Sequence, residues 1–344
     1  MFDFVKNWYC FLIPGLFLLI SIPVYGQNTG VVQGIVKDKK TGKPIDAVDV
    51  YIDNSTFGTT TDKKGHFRLN HLPSGIFRVI FTSVGYAPAA KHIALGKDGF
   101  ADFTITLKPK VYNMNKIQVK GKIPKKWKRE FREFKRDILG RSEYADQCTF
   151  ENPQVLSFKR DHKTGALIAT TNRRLKLLNL ALGYRLFIRL DQFKWKRNDG
   201  TYKIHPQFKK LIPSTKEEKA KWKANRRRVY DHSFRHFLYA LIHHKASKEG
   251  FHYSLGISQL DHQDNMYQLA KRGIYNVTLT GFHIYSQTTV RYKGDTSVIM
   301  KTNQDYFFVD SNGDLLNPLS VSLSGAWSNN RLSSLLPFNY HPKN

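Results

Sequence analysis

Between Val31 and Leu107 apolar and polar positions alternate in short runs, each closed by a turn signal. "VVQGIVKD" stops at "KKTGKP", where Gly42 and Pro44 supply turn geometry. "AVDVYID" sets Val48, Val50 and Ile52 against Asp49, Tyr51 and Asp53, the period of a half-buried strand. "TFGTTTD" and "GHFRL" flank "DKKG", read as a hairpin connection in which Gly65 takes a positive φ. With "GIFRVIFTS", "YAPAAKHIAL" and "ADFTITL" the count reaches about seven strands, which suits a small sandwich.

After "LKPK" the period changes. Trp127, Phe131, Phe134 and Ile138 fall at helical spacing among Lys and Arg, predicting a basic amphipathic helix from near Pro124 to Gly140. Two readings are open: a connecting helix packed on the next domain, or a helix lying on an anionic membrane interface. From Cys148 the pattern returns to strands around the "HKTG" turn, with a long strand into "KRNDG". One helix is then expected, capped by Ser214 with Glu217 or Thr215 with Glu218. Its apolar face runs through Trp222, Val229, Phe237, Ala240 and Leu241 to a stop near Gly250. Strands resume in "FHYSLGI", "YNVTLTGFHIY", "TTVRYK", "TSVIMKT" and "DYFFVD". The expected class is mainly β: a seven-stranded sandwich, then a larger β-rich α+β domain with one or two helices. The division is a signal peptide over 1–26, the sandwich over 31–108, a basic linker with its helix over 109–147, and the β-rich domain over 148–344.

The first residues bear on compartment. Lys6 precedes the apolar run "FLIPGLFLLISIPV", which is short for a bilayer span and fits a signal-peptide core cut between Gly26 and Gln27. An uncleaved anchor is the other reading. Cys10 lies before the apolar core, the wrong side for lipidation. No later stretch is long and apolar enough to span a membrane, so the mature chain is expected to be soluble or peripherally attached. It would keep one cysteine, Cys148, and so no internal disulfide.

The formal charge of +28 ordinarily invites a nucleic-acid reading. Export removes that partner and points instead to anionic glycan, lipopolysaccharide, lipid headgroups or an envelope protein, unless the charge serves solubility alone. The sharpest basic run is "KEEKAKWKANRRR". Within it Lys223, Arg226, Arg227 and Arg228 are candidate anion-binding residues, the alternative being a solvated helix face.

Six short motifs then occur in order. They are G-x-V/I-x-D at Gly34–Asp38, T-G-x-P-I at Thr41–Ile45, V-x-V-Y at Val48–Tyr51, T-D-x-x-G-x-F at Thr61–Phe67, L-P-x-G at Leu72–Gly75 and S-V-G-Y at Ser83–Tyr86. Together they resemble the carboxypeptidase regulatory-like domain, a transthyretin-like sandwich. That domain occurs at the N-terminus of TonB-dependent receptors and of other envelope proteins of Gram-negative bacteria. The resemblance implies an exported protein, periplasmic or associated with the outer membrane or cell surface. It implies no peptidase: no histidine is followed three residues later by the glutamate a zinc carboxypeptidase needs. Nor does the chain leave room for a receptor barrel of about twenty strands. In the second half "ENP", "LGYRLFIRLDQF", "RRRVYDHSFRHFLYAL" and "GAWSNNRLSSLLPFNY" resemble envelope proteins with the same module, and bring no activity with them.

The remaining constellations are thin. His232 and His236 share a helix face, with His243 and His244 following, but Ser233 stands where a zinc protease helix carries glutamate. "DSNGD" at Asp310–Asp314 echoes a calcium loop with its glycine too early, and reads as a turn. Cys148 has no recognisable catalytic partner. No catalytic, metal or cofactor-binding residue is assigned. The expected function is non-enzymatic binding of a protein partner or glycan; the alternative is a hydrolase with its site in the C-terminal half.

Overall fold

The computed structural model describes residues 30–96, 99–110, 123–171, 173–197, 199–254, 256–261, 263, 279–302, 305–310, 312–316 and 320–342. The expected signal peptide, residues 111–122 of the linker and the start of "YNVTLTGFHIY" lie outside them. No helix among the described residues is long and apolar enough to cross a membrane.

The alternating stretch forms the seven expected strands: β1 (Gly30–Asp38), β2 (Asp49–Ile52), β3 (Gly58–Thr60), β4 (His66–Leu72), β5 (Gly75–Thr82), β6 (Ala89–Leu95) and β7 (Phe100–Leu107). They make two sheets, β4-β1-β7 and β3-β2-β5-β6, closed over Val32, Val36, Val50, Phe67, Val79 and Phe81. β1 and β7 run parallel and very close: a Cβ on Gly34 would sit 1.8 Å from the Phe103 carbonyl oxygen, so the first motif glycine is a packing requirement. Gly65 has the expected positive φ of 76°. The turn it serves is not a hairpin, however, because β3 pairs with β2 and β4 with β1. Thr61 decides this. Its hydroxyl donates to the Ile45 carbonyl at 2.8 Å and accepts from Val48 N at 2.9 Å, holding the chain on β2's side before it crosses.

Beyond the sandwich a six-stranded sheet follows from β8 (Cys148–Phe150), β9 (Leu156–Arg160), β10 (Leu167–Thr171), β11 (Leu175–Asn179), β12 (Tyr184–Lys196) and β13 (Asp199–Lys210). The long β12 pairs with β11 through its first half, β10 through its second, and β13 along its other edge. Helix α1 (Lys125–Leu139) packs on this sheet with Phe134 and Ile138 fully buried, Phe134 lying 4.8 Å from the Phe193 ring centre. Trp127 stacks on Phe131 and donates its indole N–H to the Leu156 carbonyl at 3.1 Å. The aromatic residues of α1 therefore serve the core, as in the packed-helix reading, and are not free for a membrane.

The single expected helix is two, α2 (Lys216–Asp231) and α3 (Phe234–Ile242). The break falls where Ser233 accepts from His236 N at 3.1 Å, starting a new helix. At the first N-terminus Thr215 is the cap, accepting from Glu218 N at 3.1 Å, while Glu218 accepts from Ser214 N at 2.6 Å. Gly183 (φ 65°) lets α2 dock: a Cβ there would lie 2.3 Å from the Trp222 ring. A third core surrounds Phe237, Phe251, Ile284, Ile299 and Trp327. Over it lie the sheet β14 (Phe251–Tyr253), β17 (Thr288–Tyr292), β18 (Asp295–Lys301) and β20 (Val321–Gly325), and the sheet β15 (Ile257–Gln259), β16 (Leu279–Ile284) and β19 (Tyr306–Asp310).

After a helical turn at Ala326–Asn329, the C-terminal tail stitches the cores together. Leu332 and Leu336 enter the core under α1, whereas Phe338 enters the sandwich, near Phe77 (5.6 Å) and Phe57 (6.1 Å). Arg235 of α3 clamps this strap, donating to the carbonyls of Pro337 and Phe338 at 2.9 Å each and to that of Tyr340.

Candidate functional site

A polar cleft of about 410 Å³ opens where the segment after α1, the end of α2, the start of β18 and the strap converge. Arg228 reaches Glu143 at 3.2 Å, and His232 Nδ1 lies 3.7 Å from Asp295 Oδ2. Arg228, Glu143 and Asp295 keep about three-fifths of their side-chain surface in solvent, so these pairs are weak and their groups can turn to a ligand. Deeper in, the Ser142 and Ser333 hydroxyls lie 2.7 Å apart and Ser333 donates to the Leu139 carbonyl at 2.6 Å. Ser334 Oγ is buried without a hydrogen-bond partner among the described residues, and the buried Tyr144 hydroxyl lies beside Glu143 and Arg228. Burial, then the Glu143 charge, pushes the Tyr144 phenol above its usual range, which keeps it a neutral donor. Asn329 and Asn330 complete the wall.

The predicted anion-binding residues do not converge. Lys223 is exposed on α2. Arg226 turns inward, donating to the carbonyls of Leu182 at 2.6 Å and Gly183 at 3.1 Å with its guanidinium 4.2 Å from the Tyr184 ring centre. Arg227 is paired with Asp231 one turn on, and Arg228 lines the cleft. The histidines also separate. His236 is engaged through Nδ1 with the Asp231 carbonyl at 2.9 Å and through Nε2 with Glu249 at 2.5 Å, while His232 faces the cleft. Among the described residues no three His, Cys, Asp or Glu side chains are grouped to hold a metal. Of the "DSNGD" stretch, Asp310 Oδ1 accepts from the backbone N–H groups of Asn312 and Asp314 at 2.8 and 2.9 Å, the bonding of a turn. Cys148 is fully buried, and burial lifts its thiol to about 12.

Sequence reasoning missed a polar cluster between the sandwich and the six-stranded sheet. Buried His205 lies between two carboxylates, Asp53 on Nδ1 and Asp191 on Nε2 at 3.1 Å, with Arg78 Nη1 3.0 Å from Nε2. Alongside, Arg174 joins Asp49 to Gln207, and its guanidinium lies 5.6 Å from the ring centre of the buried Tyr51. Backbone bonds from Asn54 to Pro206 and from Phe208 to Ser55, both 2.8 Å, weld the same seam. Positions this far apart in the chain carry no spacing signal; only their partly polar character within strand runs could have flagged them.

Comparison with known proteins bears on the sandwich. Residues 32–119 match the family model of the CarboxypepD_reg-like domain. The motif resemblance is thereby confirmed, and the module is mainly β as expected. Over 110 residues the chain is 34% identical to the TonB-dependent receptor SusC of Bacteroides thetaiotaomicron, covering 32% of this chain and 10% of the receptor. The chain thus spans about a tenth of that relative's length. Among solved structures, the 5-hydroxyisourate hydrolase of Klebsiella pneumoniae is 17% identical, covering 24% of this chain and 92% of its own, with a TM-score of 0.20. A group B streptococcus pilus 2b backbone protein is 13% identical over 24% of this chain and 41% of its own, with a TM-score of 0.21.

Proposed function

We propose that this is an exported, non-enzymatic envelope protein that binds a neutral glycan in the polar cleft. The domain it shares with a TonB-dependent receptor, and the leader-like first residues, support a place in the periplasm or at the cell surface. The observation that carries the glycan reading is the balance of charge in the cleft. In a chain of net +28, Arg228 and His232 there face two carboxylates, Glu143 and Asp295. Such a lining does not favour a polyanion. Carboxylates and side-chain amides instead accept from, and donate to, adjacent sugar hydroxyls, while the orphaned Ser334 hydroxyl gains a partner when a hydroxylated ligand enters.

An oligosaccharide array followed by calorimetry tests this. A neutral oligosaccharide should bind, and combining Glu143→Gln with Asp295→Asn should weaken it at least about tenfold, the worth of one or two hydrogen bonds. Indifference to both substitutions, or retention of acidic sugars alone, would remove the proposal. Turnover of the bound sugar would put the hydrolase reading in its place.

A further inference from the structure

A separate surface, independent of the cleft, carries a stripe of largely unpaired positive charge. Lys125, Arg129, Arg132 and Arg136 follow one another at four- and three-residue spacing along α1, with Lys126 and Lys128 beside them, and all are exposed. Of these six only Arg136 makes an ion pair among the described residues, with Asp137 at 2.7 Å. Of the three carboxylates of the helix, only Asp137 reaches this stripe, at its C-terminal end through Arg136. Glu130 and Asp137 are buried, and Glu133 is paired with Arg160.

The N-terminus of α1 is also poorly built for a purely structural helix. Its cap is Pro124, without a side-chain cap bond, and the first turn holds lysines and no acid. Cations at the positive end of the helix dipole oppose folding, and an external anion would relieve them. Helix α2 differs, with Glu217 and Glu218 in its first turn and a Thr215 cap. Just ahead of α1, Ile123 is 42% exposed, an apolar group beside the cations.

From this geometry we infer that the solvent face of α1 docks on an anionic lipid surface. The stripe is convex and, at ~1.5 Å per residue over the helix, roughly 22 Å long. A small anion would meet one or two of its charges, whereas a plane of headgroups meets them all, and the apolar Ile123 suits the headgroup boundary. The apolar face of α1 belongs to the protein core, so the contact is electrostatic and reversible, without insertion of the helix.

Cosedimentation of the full exported chain with phosphatidylcholine vesicles, with and without phosphatidylglycerol, tests the inference. Binding should require phosphatidylglycerol and fade as salt rises. The variant Lys128→Gln/Arg129→Gln/Arg132→Gln should partition on the order of a hundredfold more weakly, at ~1 kcal/mol per surface cation and ~1.4 kcal/mol per tenfold. The charge-matched control Lys216→Gln/Lys219→Gln/Lys221→Gln on α2 should change it only a few-fold. Circular dichroism checks that each variant is folded; should the triple variant not be, Lys125→Gln/Lys126→Gln at the helix start gives the same comparison. Equal losses in the α1 and α2 variants would overturn the assignment, leaving net charge as the cause. Equal binding to both vesicles, or α1-dependent binding to soluble heparin with none to vesicles, would overturn it as well.

Discussion

Phe338→Ala is the sharpest probe of how the chain is held together. The ring sits 8% exposed inside the sandwich, 5.6 Å from Phe77 and 6.1 Å from Phe57, although it belongs to the C-terminal tail. Truncating a buried phenylalanine costs about 3–5 kcal/mol through lost transfer energy and the cavity left behind. Here the lower end applies, because the site lies at the sandwich margin and the backbone stays anchored: Phe338 N donates to the Asn54 carbonyl at 2.7 Å and Arg235 still grips its carbonyl. About 3 kcal/mol corresponds to roughly a hundredfold faster amide exchange in β2 and β5, where opening of the sandwich governs exchange. Hydrogen exchange read by mass spectrometry on the full chain measures this strand by strand. Protection in β12, outside the Phe338 site, should hold. The excised segment 30–110, which lacks the tail, should already exchange at the faster rate. Less than a threefold change in β2 and β5, or an equal loss in β12, would refute the account of the tail as a strap closing this core.

Two further outcomes follow from titrating groups. Cys148, buried and lifted to about 12, should resist thiol reagents at pH 8 in the native chain from Gln27 onward and react fully once denatured; rapid native labelling would mean the core around it opens readily. Burial pushes the Asp314 carboxyl up to about 7, with Arg235 opposing from 3.8 Å. A raised pKa means that the folded state holds the proton more tightly, so this contribution to stability is present below about pH 4 and lost as pH rises through about 7. Relative to Asp314→Asn, the wild type should lose stability over that window, by at most ~4 kcal/mol given ~1.36 kcal/mol per unit; denaturation midpoints differing by a constant amount from pH 4 to pH 8 would contradict it.

The local elements of the sandwich were legible in the chain because period-2 alternation and turn residues act over a few positions. Val50 and Ile52 point into the sandwich as their spacing demands, and Gly65 takes its positive φ. The same locality explains the cap at Thr215 and the apolar face of α1. What the pattern could not reveal is which faces meet. Tyr51, on the outward side of β2, is fully buried because the six-stranded sheet and its loops cover it. The strands around "DKKG" part to different sheets because long-range pairing with β1 and β2 outweighs the two-strand hairpin that their spacing allows. The apolar face through Val229 and Phe237 follows from their spacing, yet it lies on two helices that pack into different cores, and the serine that starts the second fits a capping role.

The basic run shows the same division. Its charge is visible in the chain, but only the fold turns Arg226 onto backbone carbonyls, pairs Arg227 and leaves α1 with its cations outward. His205 between Asp53 and Asp191, and Phe338 in a core more than two hundred positions earlier in the chain, are decisions of tertiary structure alone. Sequence patterns record the free energy of a residue against its near neighbours. Burial of a polar cluster or of a distant ring depends on surfaces that exist only once the sheets have packed.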